Sequence, residues 1–487
     1  MTRRHLFAIS GMAVLALGGF LLWSARAYGP GFPLDDSWIH QTYARNLAQR
    51  GEWSFIPGQP SAGLTAPLWA LLLAPGHWLG LAPYAWAWLL GGLCLAGLGW
   101  AAVAGWGALA QSRPGWAHAA AALLVFEWHS VWAAASGMET ALFSLMALAA
   151  LVLLLRIAKS DDWRPWLGLG ALIGLSAWVR PEGITLLVPA ALAALLGSRQ
   201  RQSLGALLGG FALTFVPYLL FNRWLAGAWW PNTFYAKQAE YASHREAPLF
   251  TRVLQQGFLP LVGVGIVLLP GFVYRLVTAV RRREWAVLLG AAWAAGHLAL
   301  YALRLPVTFQ HGRYAMPAMP VLYLWGFAGL AEWVKPSARA FGLRLFSRFA
   351  LALAAAVLGL FYALGAQAYA TDVGIINTEM VAAARWLAAN SEPDDLIAAH
   401  DIGALGYFAP RPLLDLAGLV SPEVIPFIRD EAALAEYLDA RHPYYFMTFP
   451  DWYPVLTARA ELVYTTEGSV SPAAGGENMA IYRWPGP

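Results

Sequence analysis

The sequence predicts a mostly α-helical, polytopic membrane protein with about 11 transmembrane helices and a C-terminal extracytoplasmic α/β domain. Three observations support this fold class. Of the 487 residues, 59% are hydrophobic and only 12% are charged, which is about half the charged fraction of soluble domains. Apolar segments follow one another through the first 369 residues, and the composition changes after them.

The first apolar segment, residues 6–25, is long enough to cross a bilayer as a helix of about 30 Å. Arg3 and Arg4 precede it, so the positive-inside rule places the N-terminus in the cytoplasm. We expect this helix to be retained as a signal anchor rather than cleaved. The other apolar segments lie at 67–81, 84–109, 117–135, 141–157, 166–179, 184–197, 204–225, 252–280, 285–303, 317–333 and 349–369.

Basic residues concentrate in alternate loops, at 156–164, 199–201, 281–283 and 335–348. The positive-inside rule assigns these loops to the cytoplasm and the intervening loops to the outside. Because the chain then starts inside and ends outside, one of the twelve segments must fail to cross. The short segment 67–81 or its neighbour is the best candidate, which leaves eleven crossings.

The last part of the chain has the composition of a soluble domain. Residues 370–487 contain sixteen acidic residues, six arginines and no lysine. Strand-like runs at 395–400, 444–448 and 479–483 alternate with helical stretches such as 376–390 and 422–440. The sequence thus predicts two domains, a membrane domain at 1–369 and an extracytoplasmic α/β domain at 370–487. The formal net charge of +4 divides between them as +14 and −10.

Composition also excludes several classes of function. The single cysteine, Cys94, excludes an intrachain disulfide and a metal cluster built from cysteines. So few charges argue against nucleic acid as a partner. No outward loop contains a Gly-rich nucleotide-binding motif.

Two adjacent carboxylates, Asp35 and Asp36, follow the first helix. Because like charges repel, their pairing indicates either a bound cation or a raised pKa on one of them. A metal site or a general base would use such a pair. The alternative is that one of them caps the helical stretch 38–50. Both interpretations hold together if one aspartate is the cap and the other has the catalytic role.

Two further outward loops carry acidic side chains. Glu139 either caps the following helix or faces the same cavity as the aspartate pair. In the loop 180–183, Pro181 and Gly183 form a turn, and Arg180 with Glu182 is best interpreted as an interfacial ion pair. These residues are candidates for positioning an acceptor or a metal.

The cations of the outward loops are few. Lys237 is the only lysine assigned to the outside, and it either extends to lipid headgroups or binds a phosphate. Arg313 and His311 lie near the start of a helix, where an anion is favoured. With Arg180 and His40, they predict a cationic ring around the acidic pair, suited to an enzyme that expels a phosphate while an acid deprotonates the acceptor.

These residues lie in motifs that together resemble the GT-C glycosyltransferases, most closely the mycobacterial terminal arabinofuranosyltransferase family. The resemblance covers nearly the whole chain, in the motifs at 35–48, 51–69, 136–140, 180–183, 231–237, 312–314 and 401–419. It implies an inverting transferase of the prokaryotic cell membrane with a polyprenyl-phosphate-sugar donor and an extracytoplasmic glycan or glycolipid acceptor. It also implies that an acid of the first outer loop, here Asp35 or Asp36, is the general base.

In this interpretation Lys237, Arg313, Arg180, His311 and His40 stabilise the donor phosphate. Glu139, Glu182 and the second aspartate position the acceptor or hold a divalent cation, which the cationic side chains make optional. In the tail, the residues that either bind the acceptor or only build the domain are Asp401, Tyr407, Asp415, Trp452 and Tyr453. The alternatives are a transporter or flippase of lipid-linked sugars, a protein O-mannosyltransferase and a lipid A sugar transferase. No internal repeat of the kind found in transporters is visible in the sequence.

Overall fold

A computed structural model describes residues 3–110, 113–160, 162–197, 200–335 and 337–486. Arg199, one of the residues used to orient the loops, lies outside these ranges. The first part of the chain is a bundle of helices with short connections. Its helices are α1 Arg3–Ala27, α2 Asp36–Arg50, α3 Pro67–Trp78, α4 Pro83–Leu109, α5 Ala117–Phe126, α6 Trp128–Ala135, α7 Thr140–Ile157, α8 Arg164–Ser176, α9 Leu187–Leu195, α10 Gln200–Ala226, α11 Asn232–Glu240, α12 Leu249–Phe258, α13 Val264–Arg281, α14 Trp285–Arg304, the short α15 Phe309–Gly312, α16 Met319–Trp333 and α17 Phe341–Ile376.

Eight helical segments of the described chain are long and apolar enough to span a membrane. The protein is therefore a multi-pass membrane protein. The eight include α1, α4, α7, α10, α13, α14, the segment that contains α16 and the segment that contains α17. Helix α3 is not among them, because it has only twelve residues and contains Pro75. Eleven crossings remain a prediction, which requires that the shorter helices of 114–135, 164–179 and 181–195 also cross.

Two segments that we expected to be continuous are broken. Segment 252–280 divides into α12 and α13 around Pro260 and Gly263, whose φ of 93° favours glycine. Segment 117–135 divides at Glu127, which is fully buried. Its carboxylate accepts a hydrogen bond from the backbone N–H of Ser130 at 3.0 Å and contacts Nδ1 of His129 at 2.7 Å. The break gives α6 an N-cap inside an apolar run.

The tail is a small α/β domain, as predicted. Its five-stranded sheet has the order β4-β3-β5-β7-β6, in which β4, β3 and β5 are parallel and the last two pairs are antiparallel. A short hairpin of the membrane part supplies β1 and β2. The strands are β1 Ser54–Ile56, β2 Gln59–Pro60, β3 Ile397–Ala399, β4 Leu413–Asp415, β5 Tyr445–Thr448, β6 Glu461–Thr465 and β7 Ala480–Arg483, and the tail helices are α18 Ala382–Asn390, α19 Gly403–Phe408, α20 Glu431–Arg441, α21 Pro454–Thr457 and α22 Val470–Ala473.

The tail shares a hydrophobic core with the loops that precede it in the sequence. Trp38 and Tyr43 of α2 and Trp69 of α3 belong to the same buried cluster as Ile397 and Leu405 of the tail. Helix α17 runs through residue 370 and ends at Ile376, where a π-turn at 377–381 leads into α18. The division at 369/370 stays a prediction, since no change of direction marks that position. The shared core fixes the tail against the side of the bundle from which α2, α3 and α11 project, called here the tail side.

Candidate active site

A cavity of about 450 Å³ lies on the tail side of the bundle. Charged side chains from separate parts of the sequence meet in it, and apolar and aromatic side chains form the rest of its wall. Its charged and histidine lining residues are Asp36, His40, Glu139, Arg180, Glu182, Lys237, Arg304 and Arg313. Its aromatic lining residues are Trp230, Phe234, Tyr301 and Tyr314.

Helix ends position these groups. Asp36 is the first residue of α2, and Glu139 immediately precedes α7. Arg180 is the N-cap of the 3₁₀ helix 181–186, which follows α8, and Glu182 lies in the first turn of that helix. Helix ends are suited to a polar site, since their free backbone groups and short loops tolerate charges better than the middle of a membrane helix does.

Asp36 and Arg313 form the central ion pair of the cavity. The Nη2 atom of Arg313 donates to Oδ2 of Asp36 at 2.6 Å and to the hydroxyl of Tyr314 at 3.1 Å. Burial raises the pKa of Asp36, but the charges of Arg313 and Lys237 outweigh this effect and hold the pKa below its usual range. Asp36 is therefore an ionised carboxylate in the free protein.

Arg313 keeps unused hydrogen-bonding capacity. Its side chain is 7% exposed, and within the described part of the chain its Nε and Nη1 atoms have no hydrogen-bond partner. Leaving buried guanidinium N–H groups unpaired costs free energy. A charged oxygen-rich ligand would satisfy them.

Arg180 is already paired on both sides. It donates to Glu139 at 2.7 Å and to the hydroxyl of Tyr301 at 3.1 Å, and it contacts Glu182 at 3.3 Å. His40 closes the other side of the network, with its Nε2 atom 3.3 Å from Glu139. The predicted Arg180–Glu182 pair is thus present, and Glu139 reaches the cavity while making no side-chain cap to α7. This network fixes the wall of the cavity.

Lys237 enters the cavity from α11 instead of extending to lipid headgroups. Its Nζ atom lies 3.4 Å from Glu240 and 5.4 Å from the ring centroid of Tyr241. Burial lowers the pKa of Lys237, but Glu240 outweighs it and the pKa rises well above its usual range. Glu240 also lies 3.4 Å from Nε2 of His400 in the tail. Lys237 is therefore cationic and held from the tail side.

Arg304 is a cavity residue that the sequence analysis did not select. It ends α14 and is exposed at the cavity rim. No ion pair of the described residues includes it. The sequence did contain a signal for Arg304. The predicted topology placed the loop that starts at residue 304 outside, so a count of the cations in that loop would have included Arg304.

Asp35 faces away from the cavity, in contrast to its neighbour. Its carboxylate accepts hydrogen bonds from the backbone N–H groups of Gly403 at 2.6 Å and Ala404 at 2.7 Å, the first turn of α19. It makes no side-chain cap to α2, so the alternative in which Asp35 caps that helix is not realised. Burial raises the pKa of Asp35 to about 8, and Asp401 adds to this effect. Asp35 fastens the tail to the bundle.

His311, which we expected to bind phosphate, does not reach the cavity. Its Nε2 atom lies 2.8 Å from Oδ2 of Asp372, and its ring meets the rings of Trp128 and Trp132 edge-on at 5.4 Å. Gln310 and His311 have φ angles of 55° and 58°, a conformation that costs free energy in residues other than glycine. His311 thus anchors the strained turn that precedes Arg313.

The tail residues that were candidates for acceptor binding or for building the domain do not line the cavity. Asp415 is fully buried, and its carboxylate accepts from the backbone N–H groups of Ala417 at 2.9 Å and Val420 at 2.7 Å. Burial raises the pKa of Asp415 to about 6. Its role is to hold the loop that brings Leu419 to the cavity wall.

The remaining tail residues divide between packing and exposure. The ring of Tyr407 packs on Trp38 at 4.8 Å, so it is part of the shared core. Tyr453 is 6% exposed and bonds Nδ1 of His400 at 2.7 Å. Burial raises the pKa of Asp401 to about 6, with His400 acting in the opposite direction and Asp36 adding to the rise. Trp452 is 48% exposed beside His400 and keeps a surface that a sugar could contact.

The charged groups do not form a preorganised metal site. In the parts of the chain that the structure describes, no group of three or more His, Cys, Asp or Glu side chains is arranged to hold a metal ion. The described cavity instead combines carboxylates with the cationic side chains of Arg180, Lys237, Arg304 and Arg313, an arrangement that fits a phosphate group and a proton acceptor side by side.

Two family models match parts of the sequence. Residues 107–221 match the model described as dolichyl-phosphate-mannose-protein mannosyltransferase. Residues 361–482, which include the tail, match a domain of unknown function (DUF8728). A search of curated proteins finds no significant match.

Solved structures share the fold over nearly the whole chain. ArnT from Cupriavidus metallidurans, in its complex with undecaprenyl phosphate, is 17% identical with a TM-score of 0.56, and the match covers 97% of both chains. The oligosaccharyltransferase of Archaeoglobus fulgidus is 13% identical with a TM-score of 0.60, covering 92% of this chain and 70% of that one. The mycobacterial arabinofuranosyltransferase AftD is 13% identical with a TM-score of 0.52, covering 99% of this chain and 40% of that one. The chain has the GT-C fold that its motifs led us to expect.

Proposed function

We propose that this chain is an inverting membrane glycosyltransferase that moves a sugar from a polyprenyl-phosphate donor to a hydroxyl group of an extracytoplasmic glycan or glycolipid. One observation carries the proposal. Asp36 and Arg313 meet in the cavity at 2.6 Å, so an ionised carboxylate stands next to a buried guanidinium with unpaired N–H groups. A proton acceptor and a phosphate site side by side are what this reaction needs.

The reaction is a single displacement. The acceptor oxygen forms a bond to the anomeric carbon, while the bond between that carbon and the phosphate oxygen breaks on the opposite face. The proton of the acceptor hydroxyl goes to Asp36, and the bonding electrons leave with the polyprenyl phosphate. Because attack and departure take opposite faces, the anomeric configuration inverts.

The cations act on the leaving phosphate. The free Nε and Nη1 atoms of Arg313 donate to its oxygens, and Lys237 supplies a second positive charge. In a cavity with apolar and aromatic walls, each of these contacts is stronger than in water. Arg304 at the rim attracts the anionic donor and is the least desolvated of the three.

Donor binding also prepares the base. In the free protein, Arg313 pairs with Asp36 and lowers its pKa. A donor phosphate competes for the same guanidinium, so the carboxylate becomes a stronger proton acceptor only when the donor is present. This order of events limits hydrolysis of the donor by water, which would otherwise attack in place of the acceptor.

The similarities to known proteins do not agree on which sugar is transferred. The motifs and the AftD likeness favour arabinofuranose, whereas the family model over 107–221 favours mannose. We propose arabinofuranose as the first candidate and mannose as the second. We also propose that the N-terminus is cytoplasmic, that the cavity and the tail face outward, and that the membrane is a prokaryotic cell membrane.

A reconstituted transfer assay tests the proposal. The full chain in nanodiscs is given synthetic polyprenyl-phosphate arabinofuranose or mannose with oligosaccharide acceptors, and the product is detected by mass spectrometry. We expect transfer from one donor, abolished by Asp36→Asn and retained in part by Asp35→Asn. Repeating the assay in EDTA tests whether a divalent cation assists. The outcome that favours a transporter is that neither donor is consumed, while labelled lipid-linked sugar moves across the bilayer of vesicles that contain the protein. The transferase proposal would then be replaced by the transporter alternative.

A further inference from the structure

A second hollow lies in the membrane part, on the side opposite the tail. It is an apolar crevice of about 410 Å³ between α5 and α17, with α13 and α16 forming its floor. The crevice is open because several of its lining residues are small, where larger side chains would fill the space. These residues are Gly115, Ala119, Ala122 and Ala355. Its walls contain no charged side chain, and the chain's own residues leave it open towards the surrounding lipid.

The crevice runs along one face of α17. Leu351, Ala355 and Leu358 line it and lie on that face at helical spacing. From Arg348 to Leu358, the helix rises about 15 Å, which is about half the thickness of a bilayer's hydrocarbon core. The crevice therefore has the depth of one leaflet, from headgroup level to near the middle of the membrane.

Four cations lie close in the chain to residues that line the crevice or to the helix that borders it. Arg344 and Arg348 continue the same face of α17 by two turns. Arg113 donates to the carbonyl of Val334 at 3.2 Å, and the backbone N–H of Lys335 donates to Ser347 of α17 at 2.7 Å. Arg113 and Lys335 therefore lie at the same end of the bundle as the start of α17.

These cations are available to a ligand. Among the described residues, none of the four forms an ion pair with an acidic side chain. Trp116 lines the crevice at this end, and tryptophan favours the boundary between hydrocarbon and headgroups. Such a set matches a molecule that has a long apolar chain and an anionic head.

We propose that this crevice binds an anionic glycerophospholipid of the leaflet opposite the tail. One acyl chain fills the space between α5 and α17, and the phosphate of the headgroup contacts Arg344 and Arg348. Charge complementarity at the rim selects the anionic headgroup, because each arginine near the membrane surface contributes about fivefold to binding of an anionic lipid. The site is independent of the proposed transfer reaction, since the active-site cavity lies on the other side of the membrane.

Native mass spectrometry of the full chain measures the retained lipid directly. The protein is equilibrated with equal amounts of dioleoyl-phosphatidylglycerol and dioleoyl-phosphatidylcholine, and retention is compared among variants that elute as monodisperse protein. We expect the wild type to retain phosphatidylglycerol preferentially. Arg344→Gln with Arg348→Gln should lower that preference about 25-fold, fivefold for each arginine. Ala355→Phe should lower retention of both lipids by filling the crevice.

Arg281→Gln with Arg282→Gln is the matched control, since these arginines lie at the end of α13, about 20 Å along the helix from Leu268, the α13 residue that lines the crevice. This variant should keep the wild-type preference. An unchanged preference in the Arg344/Arg348 variant would overturn the headgroup assignment. Unchanged retention in Ala355→Phe would overturn the crevice as the site, as would an equal loss of preference in the Arg281/Arg282 variant.

Discussion

Replacing Arg313 with glutamine is the sharpest test of the cavity chemistry. The substitution removes the positive charge 2.6 Å from Asp36 and the two unpaired N–H groups that we assign to the donor phosphate. Glutamine keeps part of the side-chain volume and a hydrogen-bond donor. The variant therefore isolates the charge and the geometry of the guanidinium fork from its packing.

The expected magnitude follows from the environment of the side chain. Arg313 is buried in a cavity with aromatic walls, and removing one preorganised donor from such a site costs about 10²- to 10³-fold in kcat. The same change removes the main charge that lowers the pKa of Asp36. That pKa therefore rises towards the value that burial favours, and an acidic limb should enter the pH profile of kcat/KM.

The assay is transfer in nanodiscs with a synthetic polyprenyl-phosphate sugar, measured from pH 5 to 8. Arg304→Gln is the matched control, because Arg304 is a cavity arginine exposed at the rim. Loss of an exposed charge costs less than about fivefold. Arg313→Lys restores the charge without the fork and should recover part of the rate.

Equal losses in Arg313→Gln and Arg304→Gln would contradict this expectation, because burial is what distinguishes the two arginines. A loss of less than about threefold in Arg313→Gln would refute it as well. Elution as a monodisperse peak with an unchanged melting temperature excludes misfolding as the cause of a large loss.

Four other outcomes are expected. Asp36→Asn should lower kcat by about 10²- to 10⁴-fold, and Asp35→Asn should lower it much less, so a reversed order would move the base to Asp35. Wild-type kcat/KM should show no acidic limb from Asp36 above pH 5, because its pKa is lowered and it stays ionised there; a limb that Asp36→Asn removes would contradict this. Gly403→Ala should destabilise the tail by about 1–3 kcal/mol, since a Cβ there collides with the backbone oxygen of Asp35; limited proteolysis should then release the tail, and an unchanged cleavage rate would count against that docking contact. His311→Ala should raise KM for the donor more than it lowers kcat by freeing the turn before Arg313, with Asp372→Asn giving the same pattern; an effect on kcat alone would place His311 in the chemistry.

The resemblance and the charge pattern anticipated much of the site. Asp36, Glu139, Arg180, Glu182, Lys237 and Arg313 all line one cavity, although the chain separates them by up to 277 residues. They could be selected because charges are rare in an apolar chain, so each one in a tail-side loop needs an explanation. Arg304 was not chosen as a candidate site residue, because it ends a long apolar helix and belongs to none of the motifs.

Other candidate residues lie outside the cavity, because their partners are far away in sequence or their local backbone turns them from it. Asp35 is held by Gly403, 368 residues later, and no local pattern indicates that a tail helix begins against the first loop. His311 is turned from the cavity by the left-handed backbone at Gln310 and His311, which sequence propensity does not predict for these residue types. The break at Glu127 was missed because a single acid in an apolar run does not reveal whether it caps a helix or interrupts it.

Reading along the chain was enough to predict a membrane protein, an α/β tail domain and a meeting of the charges of the outward loops. These properties depend on composition and on the order of apolar and basic segments, which are read along the chain. The contacts of the folded chain were needed to show which aspartate enters the cavity, which arginine keeps unpaired N–H groups and where the tail attaches. Those choices depend on side-chain direction at helix ends and on contacts across hundreds of residues, and a difference of one position along α2 is enough to turn a carboxylate from the cavity to the tail.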